Sequence, residues 1–328
     1  MSRILAIASS FLSCLVLAAS QAADTAAPRA DTSALDEVLI TGEQPGPALW
    51  KVSSGNHDLW ILGEVTPLPR KVKWRSKQFE SLLAKSQEVI LHNSASYSHG
   101  REGAELARAV QLPTGQKLAD LVSPELLARV RIVAKIYGVD EPLDALSPSV
   151  VGTRFANTSL NLLGLRIMSF QVSVEALARK AKVRITNYST PQWDAPFKER
   201  LQSVKDSAMS VCPLESVVQV LEDGGSGLRR LANAWAVGDI EALRRLLPEY
   251  GLFTDGNRSS ACMDGIYDGR KQTGENRQKR NAPWLAEADR ALRENDSTLA
   301  VVPMPELFAT DGYLAGLRAR GYDVVEPQ

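Results

Sequence analysis

The chain has 328 residues, of which 44% are hydrophobic and 23% are charged, which is enough to bury the core of one large domain or two small ones. Its 38 basic residues balance 38 acidic residues, so no long-range field would attract nucleic acid or an anionic membrane. The composition therefore predicts a globular protein and argues against a polyanion partner.

The first 22 residues have the pattern of a signal peptide. Arg3 supplies a positive charge, residues 4–19 are mostly apolar, and Ser20 and Ala22 place small residues at the −3 and −1 positions of a cleavage site. The apolar run of about 16 residues is shorter than the ~20 that span a bilayer, so we expect cleavage after Ala22 and no stable membrane span afterwards. A lipoprotein site at Cys14 is disfavoured because Cys14 lies inside the apolar run. The expected location is the periplasm or the exterior.

Cleavage would leave two cysteines, Cys212 and Cys262, in an oxidising compartment. We predict a disulfide between them. It would close a loop of about 50 residues and stabilise the fold by roughly 4 kcal/mol in the chain-entropy model. A metal pair is the alternative, but neither a CxxC spacing nor a nearby histidine supports it.

Residues 23–47 are predicted to be a flexible leader, and residues 48–328 a single domain. Two runs with strand character, Leu49–Val52 and Leu59–Leu62, flank a Ser-Gly-Asn turn and predict a hairpin. The second run is expected to stop at Gly63. Helical spacing then predicts a helix over residues 76–85, and "EVILHN" (residues 88–93) a strand.

The middle of the chain is predicted to be largely helical. In "SPELLARVRIVAKIYG", Ser123 is the expected N-cap, Pro124 the first helical residue and Gly138 the end. "SVEALARKAK" followed by "VRITNY" is a helix and then a strand, which favours an α/β fold. "VVQVLE", "GLRRLANAWAVG" and "DIEALRRLL" predict packed helices, with Gly238 at a C′ position and Asp239 as the next N-cap. "EDGGSGL" lacks the lysine of a P-loop and is predicted to be a turn.

The C-terminal segment predicts a strand at "STLAVVP", a short helix at "GYLAGLRARG" and a final strand at "YDVVEP". Together with "ALWKVSSG", "LWILGEVTPLP" and "ANAWAVGDIEAL", the order of these pieces resembles the TraB/GumN family, which is related to the Tiki proteins. This resemblance implies an α/β fold whose central mixed sheet is contributed by the N- and C-terminal halves. It also implies descent from a metal-dependent hydrolase or peptidase.

The family pattern has a Gly-x-x-His after an early strand, an acidic residue after the next strand, and a second similar segment near the C-terminus. Here the first places Thr66 where the histidine would be, and the acidic position falls on or beside His92. The third segment falls on residues 302–305, which include Met304. A hydroxyl, a proline and a thioether are poor ligands for zinc or manganese, which commonly need about three His or carboxylate ligands. No cofactor is therefore expected.

Other candidates are few. The chain has three histidines: His57 is expected at the surface, His92 to face a pocket beside Glu64, and His99 to have no role. Two ligands would bind a transition metal weakly, so a divalent metal belongs only to the alternative hypothesis. Arg280 resembles a family arginine, but a solvated helical arginine is an equal alternative. No G-x-S-x-G sequence is present.

Three hypotheses follow. The first is an exported, non-catalytic or weakly catalytic protein whose inherited cleft binds a peptide, a protein or another envelope component. The second is a metal-dependent hydrolase with altered ligands, with catalytic candidates Glu64, His92 and Arg280. The third is a scaffolding envelope protein. The residues expected to line the cleft lie in or directly beside the family-motif segments: Gly63, Glu64, Thr66, His92, Met304 and Glu306.

Overall fold

The computed structural model describes residues 46–70, 72, 74, 77–92, 101–140, 142–166, 170–188, 196–250 and 274–327. Its strands are β1 (Leu49–Ser54), β2 (His57–Glu64), β3 (Leu68–Pro69), β4 (Glu88–His92), β5 (Leu165–Arg166), β6 (Arg184–Tyr188), β7 (Ser297–Pro303) and β8 (Asp323–Val325). Its helices are α1 (Lys77–Lys85), α2 (Arg101–Ala109), α3 (Pro124–Tyr137), α4 (Pro148–Leu162), α5 (Phe170–Ala181), α6 (Phe197–Ala208), α7 (Cys212–Glu222), α8 (Ser226–Val237), α9 (Ile240–Tyr250), α10 (Gly274–Glu294), α11 (Met304–Phe308) and α12 (Tyr313–Ala319).

Six strands form one mixed sheet in the order β6-β4-β7-β2-β1-β8. Strands β6, β4, β7 and β2 are parallel to their neighbours, whereas β1 is antiparallel to β2 and to β8. The sheet takes β1, β2 and β4 from the N-terminal part and β7 and β8 from the C-terminal part, with a largely helical region between them. The predicted α/β fold is therefore confirmed. A separate pair, β3 with β5, was not predicted.

The N-terminal hairpin forms as predicted, with Val52 opposite Leu59 and Gly55 in the turn at φ +59°. Strand β2 is predicted to stop at Gly63, but it continues to Glu64. His57, predicted to lie at the surface, is the first residue of β2 and is partly buried. Its Nδ1 lies 2.8 Å from the backbone oxygen of Asn295, which holds the turn against the end of α10.

The predicted helix ends are confirmed by local chemistry. The Ser123 hydroxyl accepts a hydrogen bond from the backbone N–H three residues later, at 3.1 Å. Gly138 and Gly238 both end helices in the left-handed region, at φ +65° and +75°, where glycine carries no Cβ penalty. The Asp239 carboxylate accepts from the N–H of Ala242 at 2.9 Å. Within "EDGGSGL", residues 223–225 form the predicted turn between α7 and α8, and residues 226–228 already belong to α8.

Two hydrophobic cores hold the described residues together. The larger one surrounds the sheet and includes Trp50, Trp235 and Trp284, whose side chains are fully buried. The smaller one lies among α3, α4 and α7, around Phe155 and Leu214. No helix within the described ranges is long and apolar enough to cross a membrane. The predicted signal peptide and leader lie outside the described residues, except residues 46 and 47.

A buried, charged side chain lies at the edge of the sheet where the parallel strands begin. Glu88, the first residue of β4, is fully buried. It accepts hydrogen bonds from Arg290 at 2.6 Å, Asn295 at 2.6 Å and Arg184 at 3.0 Å, and from the hydroxyl of Thr186. Burial raises the pKa of the Glu88 carboxyl, but these four donors outweigh it and hold the pKa below its ordinary value. The network thus ties β4, β6 and α10 together.

Candidate functional site

Four parallel strands end at one edge of the sheet, which we call the carboxyl edge. Their last residues are Tyr188 in β6, His92 in β4, Pro303 in β7 and Glu64 in β2. Glu64 pairs with Pro303, and His92 pairs with Tyr188. In open α/β sheets, ligands bind outside the carboxyl ends of the strands. This edge, which contains the predicted cleft residues, is therefore the candidate site.

Glu64 is held at this edge by a side chain from α5. Its carboxylate is 6% exposed and accepts a hydrogen bond from Nε2 of Gln171 at 3.0 Å. Gln171 is itself buried and sits in the first turn of its helix. A buried carboxylate must be hydrogen-bonded to be tolerated, and the amide supplies one such bond. Gln171 was not singled out in the sequence, because nothing local marks it.

Gly63 has a different role from the one predicted. The strand is expected to stop at Gly63, but this residue lies within β2, opposite Val302, and its φ is not in the left-handed region. A Cβ at this position would lie 2.5 Å from Sδ of Met304 and 3.0 Å from Cδ1 of Leu307. The missing side chain therefore makes room for the fully buried Met304. The Gly63 carbonyl accepts a hydrogen bond from the indole of Trp235 at 2.7 Å.

Glu306 is the second carboxylate at the carboxyl edge. It lies on α11, which directly follows β7 and packs against β2 and β7. The side chain is 8% exposed and accepts a hydrogen bond from Nδ2 of Asn281 at 3.4 Å. Asn281 is 1% exposed and belongs to α10. Its neighbour Arg280, the sequence candidate, also lies on α10, but its side chain is outside what the structure describes.

Thr66, which stands where the family pattern has histidine, is also buried, two residues beyond the end of β2. The polypeptide directly after Glu64 thus stays buried. A hydroxyl can donate one hydrogen bond and accept two, but it is a weak metal ligand without a charge of its own. The structure therefore places Thr66 in the candidate site, where its hydroxyl can form hydrogen bonds but is a poor metal ligand.

An aromatic chain covers the other half of the carboxyl edge. The ring of His92 lies edge-on to Tyr188, with centroids 5.1 Å apart. The hydroxyl oxygens of Tyr188 and Tyr313 are 3.4 Å apart, and Tyr313 stacks on Trp284 at 4.2 Å. Aromatic pairs in these geometries add to the stability that burial supplies. His92 therefore faces an aromatic neighbour.

The model of the TraB/PrgY/gumN family matches residues 48–326. The chain belongs to the TraB/PrgY/gumN family. The match begins at the hairpin and ends just after β8, so it covers the whole mixed sheet and the helices between its strands. The resemblance found in the sequence is thereby confirmed. No curated protein and no solved structure matches this chain.

The metal site that the TraB/PrgY/gumN resemblance implies does not fit the residues present. Strand β7 separates β2 from β4, so the backbones at Glu64 and His92 are about two strand spacings, roughly 10 Å, apart. The described part of the chain contains no group of three or more His, Cys, Asp or Glu that could hold a metal ion. Thr66 and Met304 offer a hydroxyl and a thioether in their place. His99 lies outside the described residues.

In this family member the structure brings together most of the predicted cleft residues. Gly63, Glu64 and Thr66 come from the end of β2, and Met304 and Glu306 come from the end of β7, the next strand. His92 ends the strand on the far side of β7 and faces the aromatic chain. The residues missed were the amides that hold the two carboxylates. Only the resemblance at Arg280 gave a signal for one of them, because Asn281 is the next residue.

Proposed function

We propose that this chain is an exported envelope protein, non-catalytic or weakly catalytic, whose carboxyl edge binds a peptide, a protein or another envelope component. The observation that carries the proposal is the packing of Met304 against Gly63, which fills the end of β2 with a buried thioether. Glu64 and Glu306 are both present at this edge, and each accepts a hydrogen bond from a neutral amide. Such a site offers polar recognition without the ligand set of a catalytic metal ion.

Export rests on the N-terminal pattern and on cysteine chemistry. Cys212 is the first residue of α7, and we propose that it forms a disulfide in the exported protein. Disulfides persist in oxidising compartments such as the periplasm. Cys262 lies outside the described residues, so its pairing with Cys212 remains a prediction. In the envelope fraction of the native host, the protein should begin at Ala23, and thiol labelling of the unfolded, unreduced protein should find no free cysteine. A retained Met1, or two reactive thiols per chain, would contradict export.

Metal analysis separates the binding protein from a metal-dependent hydrolase. Protein purified without a chelator or a metal-affinity tag should contain far less than one equivalent of Zn, Mn or Co. Adding these metals should leave the melting temperature nearly unchanged, whereas a ligand at 100 times its dissociation constant would stabilise the fold by about 2.7 kcal/mol. Tightly held stoichiometric metal, lost together with peptidase activity in Glu64→Ala or His92→Ala, would establish the hydrolase instead.

Ligand-induced stabilisation separates the binding protein from a scaffold. Peptide and envelope extracts should raise the melting temperature of the wild-type protein, because a ligand that binds only the folded state stabilises it by mass action. The same extracts should have a smaller effect on Glu306→Gln. No stabilisation by any extract would favour the scaffolding role.

A further inference from the structure

A buried hydroxyl oxygen and a buried amide oxygen at the carboxyl edge have no hydrogen-bond partner. They are Oγ1 of Thr66 and Oδ1 of Asn281, and neither atom meets a donor or acceptor anywhere in the structure that is described. The two residues are 8% and 1% exposed. Buried side-chain oxygens in folded proteins are nearly always paired, because desolvation without a partner costs free energy. Two unpaired oxygens near one site therefore point to a bound group.

The orientation of Asn281 is fixed by Glu306. Nδ2 of Asn281 donates to the carboxylate at 3.4 Å, and turning the amide over would set two acceptor oxygens against each other. The unpaired Oδ1 belongs to the same planar amide, on the carbon that carries Nδ2. This buried oxygen therefore lacks a donor in the neighbourhood of the Glu306 carboxylate.

The sheet brings these groups to neighbouring strand ends. Glu64 pairs with Pro303, Thr66 lies two residues beyond Glu64, and Glu306 lies three residues beyond Pro303. Helix α10, which carries Asn281, packs against β2 and β7. Four oxygen-bearing side chains, from β2 and the loop after it, from α11 and from α10, therefore lie at the same edge of the sheet.

All four side chains can accept hydrogen bonds, and two of them are carboxylates. A matching group must donate several hydrogen bonds and carry positive charge. A primary ammonium has three N–H donors, no acceptor and a compact charge, whereas a guanidinium is a planar fork that suits a single carboxylate better. A water molecule would satisfy one oxygen but would bring no charge.

We propose that the carboxyl edge binds a primary ammonium group of a peptide, with Glu306, Asn281, Thr66 and Glu64 as its acceptors. The inference rests on the proposed binding function and adds the chemistry of the ligand. The ammonium has two sources in peptides, the lysine side chain and the free amino terminus. Both present the same group, so the experiment must separate them.

The test uses three peptide probes titrated into the purified protein by calorimetry. Acetyl-Ala-Lys-Ala-amide carries the side-chain ammonium, Ala-Ala-Ala-amide the terminal one, and acetyl-Ala-norleucine-Ala-amide neither. At least one ammonium peptide should bind roughly tenfold or more tightly than the norleucine peptide, since hydrogen bonds to charged groups are strong. The probe that binds identifies the source.

Two variants and one control connect that binding to the site. Glu306→Gln removes the charge and keeps the shape of the side chain. It should therefore weaken the binding of the ammonium peptide roughly tenfold and leave the binding of the norleucine peptide unaffected. Thr66→Val removes an oxygen without a partner, so it should weaken binding and not lower the melting temperature. Glu175→Gln, on the exposed face of α5, should change neither quantity.

Each remaining outcome overturns the inference in a distinct way. Equal binding of all three peptides, unaffected by Glu306→Gln, would remove the ammonium assignment and leave the binding function standing. No binding of any peptide probe would overturn the ammonium inference, while stabilisation by envelope extracts would still decide the binding function. Ca²⁺ or Mg²⁺ that saturates the protein and displaces the peptide only when Glu306 is intact would assign the site to a hard cation.

Discussion

Replacing Glu88 by glutamine should destabilise the fold more than any surface charge change. Glutamine keeps the shape but turns one acceptor oxygen into a donor, which then faces donors from Arg290, Arg184, Asn295 or Thr186. Hydrogen bonds to charged groups are worth about 1.5–3 kcal/mol each, and breaking a buried ion pair costs about 3–5 kcal/mol. The arginines are partly exposed, so water offsets part of the loss.

We therefore expect Glu88→Gln to lower the free energy of unfolding by about 3–4 kcal/mol, measured by urea denaturation. The melting temperature should fall by about 10 °C, since each kcal/mol shifts it by roughly 2–4 °C for a domain of this size. The matched control is Glu175→Gln, which removes an exposed ion pair with Arg179 on one helix. That control should change stability by no more than about 0.5 kcal/mol.

The pH dependence gives an independent check. The pKa of Glu88 is lowered in the folded state from an ordinary value of 4.5. Its contribution is thus fully present above that value and is lost as the pH falls through the lower folded pKa. The difference between wild type and Glu88→Gln should shrink below pH 4.5, because glutamine does not titrate. A difference under about 1 kcal/mol at pH 7, or one that stays constant at acidic pH, would refute the reasoning.

Two further substitutions test the end of β2. Gly63→Ala would place Cβ 2.5 Å from Sδ of Met304 and should lower the free energy of unfolding, measured by urea denaturation, by about 1–3 kcal/mol. Adding Met304→Ala to this variant should then lower it less than Met304→Ala does in the wild type. Strictly additive losses would contradict the packing argument. Trp235→Phe should cost about 1–3 kcal/mol more than Trp284→Phe, because Trp235 donates to Gly63 whereas the indole N–H of Trp284 has no partner in the described structure. Equal losses of stability for the two substitutions would show that the lost side-chain volume alone sets the destabilisation, without a contribution from the hydrogen bond.

Much of the fold could be predicted because its signals are local. Ser123 and Gly138 bound a helix through their own backbone chemistry, and Gly238 with Asp239 does the same for the next pair of helices. The hairpin follows from alternation and a Gly turn at Gly55. Such signals act over a few residues, so they can be read in the sequence without knowledge of the tertiary structure.

The candidate site was harder to predict because its partners come from distant elements. Gln171 and Asn281 sit on helices whose sequence gives no sign of which amide is buried against a carboxylate. Glu88 looked like an ordinary strand residue, and its donors lie about a hundred or more residues along the chain. Gly63 was misjudged for the same reason, since the need for a missing Cβ depends on Met304 across the sheet.

The position of β7 has a consequence for how the chain acquires its structure. Residues 57–64 and 88–90 both pair with residues within 297–303, so β2 and β4 are joined in the sheet through a strand that lies far along the chain from both. Contacts this distant along the chain slow folding, and until they form the apolar borders of β2 and β4 have no neighbour. A chain truncated before residue 297 would thus have a hairpin and a β4–β6 pair with nothing between them. The facing borders of β2 and β4 would stay exposed in such a chain.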